Sequence, residues 1–431
     1  MLGRKMIDEK IPPVNDLRVV TAETLQVIKE EFWEKPALDP SPGSVQDIRL
    51  KDQEYGAERR ETLEYSSAVR ILDSICTLLD SGDGSLFAAA FDLHDHVTVV
   101  LAKNGTPTKE DRDAAKELFR TVVCTKDDVW EFFPFILNRC HRRLRKSLIK
   151  LKSSLEQLDL EEVCKDYQVN SLEDEFPGLA LLKEDGKYTL AQVFRIKIRR
   201  MVDFTIEQLG DILGMENEDT PFALDGFRDT LCKVYQLSVT RIVQHESEPI
   251  CRVKLPRRLH KVNRYLFAAM TLQAQAHRLL SGGQKIHHRW ATNYIPTSDT
   301  RYIKLHRTLS RILEPRVLNI TPAAATKHRE WYPNAWGNWK DLVSTCLHPE
   351  IRLITHLDGS ELVYNALPSY SSYRCLIHTS YRLRAIGCSK RTCYACSIWI
   401  RAYNAAFKTK WAVSERDGRI YVDWALPGEA C

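Results

Sequence analysis

The sequence predicts an α/β protein with antiparallel last two strands and a large all-α region placed before the final helix-strand segment. Three observations carry this. Apolar residues from Ser85 to Leu93 and from Val97 to Ala102 flank a polar interruption at His94-Asp95-His96, ending at Lys103-Asn104-Gly105, which reads as a β-hairpin. From Thr106 to about Ser344 the apolar spacing is helical. Beyond residue 341 strand, turn and helix patterns return, and Asp417-Gly418 between Trp411–Glu415 and Arg419–Trp424 marks a closing hairpin.

Taken in order, residues 1–60 are charged and broken by Pro12, Pro13, Pro36, Pro40 and Pro42, so they read as a loose arm with one helix near residues 22–33 and little to offer a core. Residues 61–105 hold a helix from Leu63 to Leu79, with Val69, Ile71, Leu72, Ile75 and Leu78 as its stripe, and then the hairpin. Residues 106–340 form the helical region, with helical stretches at 127–165, 190–214, 222–246, 259–280 and 300–313, the first kinked at Pro134. Residues 341–431 form the α/β end: a helix from Pro349 to Leu357, a strand from Arg382 to Cys388, a helix from about Cys393 to Lys408, and the hairpin.

Composition limits what such a chain does. At 431 residues it has room for two domains or one domain with a large insertion. Apolar residues make up 44% and charged residues 28%, and no apolar run is long enough to span a bilayer, so no membrane partner is expected. The charged N-terminal stretch lacks the apolar core of a signal peptide. Twelve scattered cysteines, with a C-x-x-C among them, suit a reducing, intracellular compartment, cytoplasmic or nuclear. The net charge of +5 is too small to imply nucleic-acid binding by itself. Two local basic patches stand out, Arg139 to Lys152 and Arg252 to Arg264. Such patches can follow a phosphate backbone, but as sequence they read as solvated helix faces, the second broken at Pro256.

The chemistry concentrates near the C-terminus. His348-Pro349-Glu350 is followed by Cys393-Tyr394-Ala395-Cys396. One imidazole and two thiolates are three metal ligands, which leaves a fourth position open for water, as catalytic zinc sites do. Two cysteines three apart in the first turn of a helix face the same way, and the helix N-terminus favours the thiolate. His348 and Glu350 can share a pocket only where a helix begins, and Pro349 fits the first helical position. A rival uses the same cysteines: Cys375-x-x-His378 with Cys393-x-x-Cys396 has the spacing of a closed, structural Cys₃His site.

These residues, with strand-helix context around the cysteine pair, resemble the nucleotide and nucleic-acid zinc deaminase superfamily. More narrowly, the segment is similar to a fungal, lineage-expanded branch, through Gly387-Cys388-Ser389-Lys390 before the cysteine helix and Trp424-Ala425-Leu426-Pro427 after the last strand. The likeness covers about residues 340–431 and extends to the hairpin at 85–104. It implies a cytidine-deaminase-like three-layer core with the all-α region inserted or fused before the H-x-E helix. It also implies Zn²⁺ held by His348, Cys393 and Cys396, with Glu350 moving protons in the hydrolytic deamination of a nucleobase in a nucleoside, nucleotide or nucleic acid. Asn104 would face the base or ribose, although Asn104-Gly105 is equally a common turn former. The superfamily usually has proline before the first cysteine; here Thr392 stands there, a suitable N-cap.

A second function class uses the same residues: a catalytically inactive, deaminase-like interaction protein with a structural zinc site, whose helical region binds a protein partner. Other signals carry less. Leu280-Ser281-Gly282-Gly283-Gln284 spells an ATPase signature, but no G-x-x-x-x-G-K-[ST] accompanies it, so the phosphate cradle is missing. His94-x-His96 and His287-His288 read as exposed loop residues with no cysteine nearby.

Overall fold

The hairpin read from residues 85–104 forms as β1 (Phe87–Asp92) and β2 (Thr98–Lys103), antiparallel, with Phe87 opposite Lys103. The computed structural model describes residues 25, 56–92, 97–125, 128–177, 188–214, 222–245, 247–279, 285–291, 298–302, 342–365, 384–413, 421 and 424. Around the hairpin, β3 (His287–Trp290) pairs parallel with β2, β6 (Ala385–Cys388) pairs antiparallel with β1, and β7 (Ala412–Val413) pairs parallel with β6. The sheet order is β3-β2-β1-β6-β7. A second sheet pairs β4 (Ser298–Tyr302) with β5 (Leu342–Cys346).

Because successive strand residues point to opposite faces, β1 and β2 feed two separate cores. Phe87, Ala89, Val99 and Leu101 belong to a large cluster with the helical region. Ala88, Ala90, Val100 and Ala102 belong to a second cluster with Leu347, Ile351, Ile354, Leu357, Ile386, Cys393, Cys396 and Ile400. The sheet is therefore the middle of three layers. Small alanines on the second face let the helices that carry the site approach closely.

On the first face lie α1 (Gly56–Leu79), α2 (Lys109–Cys124), α3 (Phe133–Glu156), α4 (Leu190–Gly214), α5 (Leu224–Ser238) and α6 (Leu255–Leu279). Residues of all six join the sheet in one apolar cluster, so the helical region is packed on the sheet rather than hung from it. The tightest junction is between α1 and β6. A Cβ on Gly387 would lie 2.3 Å from the backbone of Leu72 and Asp73, so only glycine lets the helix sit there. Asp73 Oδ1 accepts the Cys388 amide at 2.7 Å, and the Cys76 thiol donates to the Gly387 carbonyl at 3.4 Å.

On the second face lie α7 (Pro349–Asn365) and α8 (Tyr394–Phe407). The helix expected from Pro349 to Leu357 thus forms and runs further.

Several expectations differ from what forms. Pro134 does not kink a helix interior; a 3₁₀ turn, Val129–Phe132, precedes α3, and Pro134 sits in its first turn, where its missing N–H costs nothing. The helix expected at 300–313 begins instead as strand β4, because Ser298–Tyr302 finds a partner in β5; residues 303–313 lie outside the described residues. His287-His288 is strand rather than loop, drawn into register beside Thr98 and Val99. Leu25, in the arm read as poor core material, is helical and buried in the second cluster. The turn at Asp417-Gly418 lies outside the described residues. What is described nearby is parallel: β7 on β6, and a bridge from Trp424 to Cys346. Among the described residues no helix is long and apolar enough to cross a membrane.

Candidate metal centre

Strand β5 ends at Cys346 and delivers Leu347 and His348 to the start of α7. His348 holds the N-cap position: its carbonyl accepts the Arg352 amide at 3.1 Å, the first bond of the helix, and Pro349 is the first helical residue. Glu350 follows in the same turn. The backbone bends out of strand geometry just here, which lets residues 348 and 350 share one pocket instead of opposite sides of a helix.

The second half of the site comes from β6 and α8. Ser389 locks the end of β6 to the start of β1, its hydroxyl oxygen accepting the Phe87 amide at 3.1 Å while its own amide donates to the Phe87 carbonyl at 2.9 Å. Helix α8 is capped by Cys393, not by the expected Thr392; the Cys393 sulfur accepts the Cys396 amide at 3.3 Å, and Thr392 is wholly buried. A sulfur that must face the same point as Cys396 is already where an N-cap acceptor belongs.

These pieces converge. His348 Nδ1 lies 3.5 Å from Cys393 Sγ and 3.4 Å from Cys396 Sγ, and the three ligand atoms fall within 4.8 Å of one another. Zn–S bonds near 2.3 Å and Zn–N bonds near 2.05 Å at tetrahedral angles would put sulfur and nitrogen about 3.6 Å apart. The observed edges fit a metal ion of that size. The Trp424 indole N–H donates to Cys396 Sγ at 3.2 Å, and the Tyr421 ring meets His348 edge-on at 6.0 Å. Every group of the centre is buried, His348 at 1% exposure and Glu350 at 5%.

Burial and neighbours set the charges. The Cys393 thiol is held below the ordinary thiol range by hydrogen bonding from Cys396, against its burial and with help from His348. Burial, then the neighbouring Cys393, pushes Cys396 the other way. Burial raises the Glu350 carboxyl to about 7, although His348 pulls it down. Glu350 Oε2 is a buried oxygen with no hydrogen-bond partner among the described residues. An acceptor left unmade in a dry pocket is costly, and a water or substrate proton would satisfy it.

The cleft over this centre is lined by Leu86, Phe87, His348, Pro349, Glu350, Cys388, Lys390, Arg391, Cys393 and Tyr421. It is narrow, with room for about one water beside Glu350. Asn104 stands behind this wall: its Oδ1 accepts the Leu86 amide at 2.6 Å and its own backbone amide donates to the Leu86 carbonyl at 3.1 Å, which closes the hairpin. Arg352, buried under the same hairpin end, donates to the carbonyls of Lys103 and Gly105 and so ties α7 to it. Cys375 and His378 lie outside the described residues, as do His94 and His96. Trp424, Ser389 and Arg352 are not candidates by sequence. Ser389 and Trp424 stand there only as marks of likeness, and nothing in the sequence says which atoms they meet.

Residues 347–428 match the model of the OTT_1508-like deaminase family. No curated protein and no solved structure matches the chain.

Proposed function

With residues 347–428 deaminase-like, we propose that this protein is a zinc-dependent hydrolase that removes the exocyclic amine of a nucleobase. The observation that carries the reading is the convergence of His348 Nδ1 with both cysteine sulfurs at metal-ligand spacing, beside a buried Glu350 oxygen that has no partner among the described residues. Zinc held there would act as a Lewis acid and make water nucleophilic at neutral pH.

The chain's own residues do the rest. Glu350, close to the ligand set and shielded from solvent, takes a proton from the attacking water. It passes that proton to a ring nitrogen, then carries the proton of the newly added hydroxyl to the amine at C4 of cytosine or C6 of adenine, so that the C–N bond breaks, the carbonyl forms and ammonia leaves. Trp424 and the α8 backbone hold the thiolates by donating to their sulfurs. Leu86, positioned by Asn104, forms the wall against which a base would slide. An intracellular setting, the fungal affinity carried by Gly387-Cys388-Ser389-Lys390, and a boundary near residue 341 belong to this same reading.

The test is zinc content together with ammonia release across free bases, nucleosides and single-stranded nucleic acid. Glu350→Ala keeps stoichiometric zinc and abolishes ammonia release; His348→Ala loses the metal. Zinc retained in both variants refutes the open site.

A second reading has its own support. The cleft's width, about one water, suits a metal scaffold better than a nucleobase pocket. In that reading the chain is an inactive deaminase-like interaction protein whose helical region docks a protein partner. X-ray absorption on the zinc-loaded protein separates the two: an oxygen neighbour in the fourth position supports catalysis, and a fourth sulfur or nitrogen supports a scaffold.

A further inference from the structure

The two basic stretches of the sequence fall on α3 and α6, and the fold lays them side by side. Ser154 Oγ donates to the Val253 carbonyl at 2.7 Å, and the Arg258 guanidinium donates to the Lys150 carbonyl at 2.5 Å and to Ser154 Oγ. Further along, Cys140 feels the charge of Arg264. The helices therefore run antiparallel, and the seam between them carries Lys150 and Arg143 from one side and Arg257, Lys261 and Arg264 from the other. Residues 257, 261 and 264 are four and three apart, on one face of α6.

The crowding is physical. Lys261 is held below the ordinary lysine range by partial burial and by the charges of Arg257, Lys150, Arg143 and Arg264 around it. Arg143 has a counter-charge in Asp80. Among the described residues no carboxylate pairs with Lys150, Lys261 or Arg264. The Arg264 guanidinium lies over the Tyr265 ring at 5.1 Å, and its Nε and Nη2 are buried with no acceptor among the described residues. Lys150, Lys261 and Arg264, gathered without a paired carboxylate among the described residues, cost stability in the free protein through like-charge repulsion. A polyanion laid in the seam would offset that cost.

We infer that the α3–α6 seam binds the phosphate backbone of a single-stranded nucleic acid. Cations on one helix face repeat about every 5.4 Å, on the scale of the step between successive phosphates along a strand. The exposed Lys150 and Lys261 present their ammonium groups to phosphate oxygens. The seam also has a direction. The Arg143 side chain presses on Gly82, where a Cβ would come within 2.7 Å of it, and Gly82 lies four residues before Leu86, a wall of the metal cleft. Lys390 and Arg391 line that cleft. Delivery of a strand to the cleft rests on the deamination reading; binding along the seam does not.

The test uses the full-length protein and a fluorescent oligothymidylate, followed by anisotropy from 50 to 200 mM salt. The wild type binds, and log K falls linearly with log salt. Lys150→Gln with Lys261→Gln, both exposed positions, weakens binding about tenfold and lowers the slope by about 1.4, which is 0.7 for each phosphate no longer neutralised. Far-UV circular dichroism checks that the double variant is folded; if it is not, Lys150→Gln alone should lower the slope by about 0.7. Three results overturn the inference: no salt-sensitive binding by the wild type, an unchanged slope in the folded variant, or tighter binding to anionic phospholipid vesicles or polyglutamate than to the oligonucleotide. Binding is read without turnover, so a protein that binds yet releases no ammonia refutes the deaminase reading and not this one.

Discussion

Trp424 donates its indole N–H to the sulfur of Cys396 across 3.2 Å, and its backbone bridges Cys346 just before His348. One residue thus touches both halves of the candidate metal centre. Groups that hydrogen-bond to metal ligands orient them and typically change metal affinity by about 10- to 100-fold. Trp424→Phe, which keeps most of the bulk and removes the donor, should weaken zinc retention at least about tenfold in a chelator competition. Equal retention would mean that the indole only fills space.

Gly387 predicts a stability effect far from any chemistry. Its Cα faces the backbone of Leu72 and Asp73 so closely that a methyl group has no place. Gly387→Ala should push α1 off β6 and cost about 1–3 kcal/mol or more, as overpacking does. Urea unfolding measures it. A midpoint equal to wild type would show that α1 and β6 yield without strain.

Asp111 predicts a pH dependence. Burial pushes its carboxyl up, but hydrogen bonds from Lys103, the Thr108 amide and Arg139 outweigh that and hold it below the usual aspartate range. Lys103 Nζ is 2.7 Å away and Arg139 Nη2 is 2.5 Å away, and the Asp111 side chain is 2% exposed. A depressed carboxylate contributes stability that is fully present above its unfolded value, about 3.9, and is lost as pH falls through the lower folded value. The wild type should therefore lose part of its stability below about pH 4. Asp111→Asn should lack that part of the acid slope and be less stable by about 3–5 kcal/mol at neutral pH, because two cations lose a buried partner. Parallel acid slopes in the two proteins would show that another carboxylate is responsible.

How much of the fold is legible in the sequence depends on how local the cause is. The hairpin at 85–104 is plain, since two short apolar runs around the polar His94-Asp95-His96 are a local signal, and β1 and β2 form within it. His287–Trp290 has no apolar alternation, and it is a strand only because β2 offers it a parallel edge. Ser298–Tyr302 likewise takes its conformation from β5. Thr392 is the helix cap by residue type; Cys393 takes that role, because its sulfur is turned toward the Cys396 amide.

At the candidate centre the division is similar. Residue type and spacing alone name His348, Glu350, Cys393 and Cys396, because a metal ligand set is written in donor atoms and a helix start is written in proline. No sequence pattern could bring His348 within 3.5 Å of two sulfurs some 45 residues away, turn the Trp424 indole onto one of them, or set Arg264 and Lys261 beside Lys150. Local chemistry follows from which side chains are present and at what interval. Which of them meet depends on the packing of α7 and α8 on one face of the sheet and of α3 against α6 on the other, and that packing follows from burying the whole chain at once.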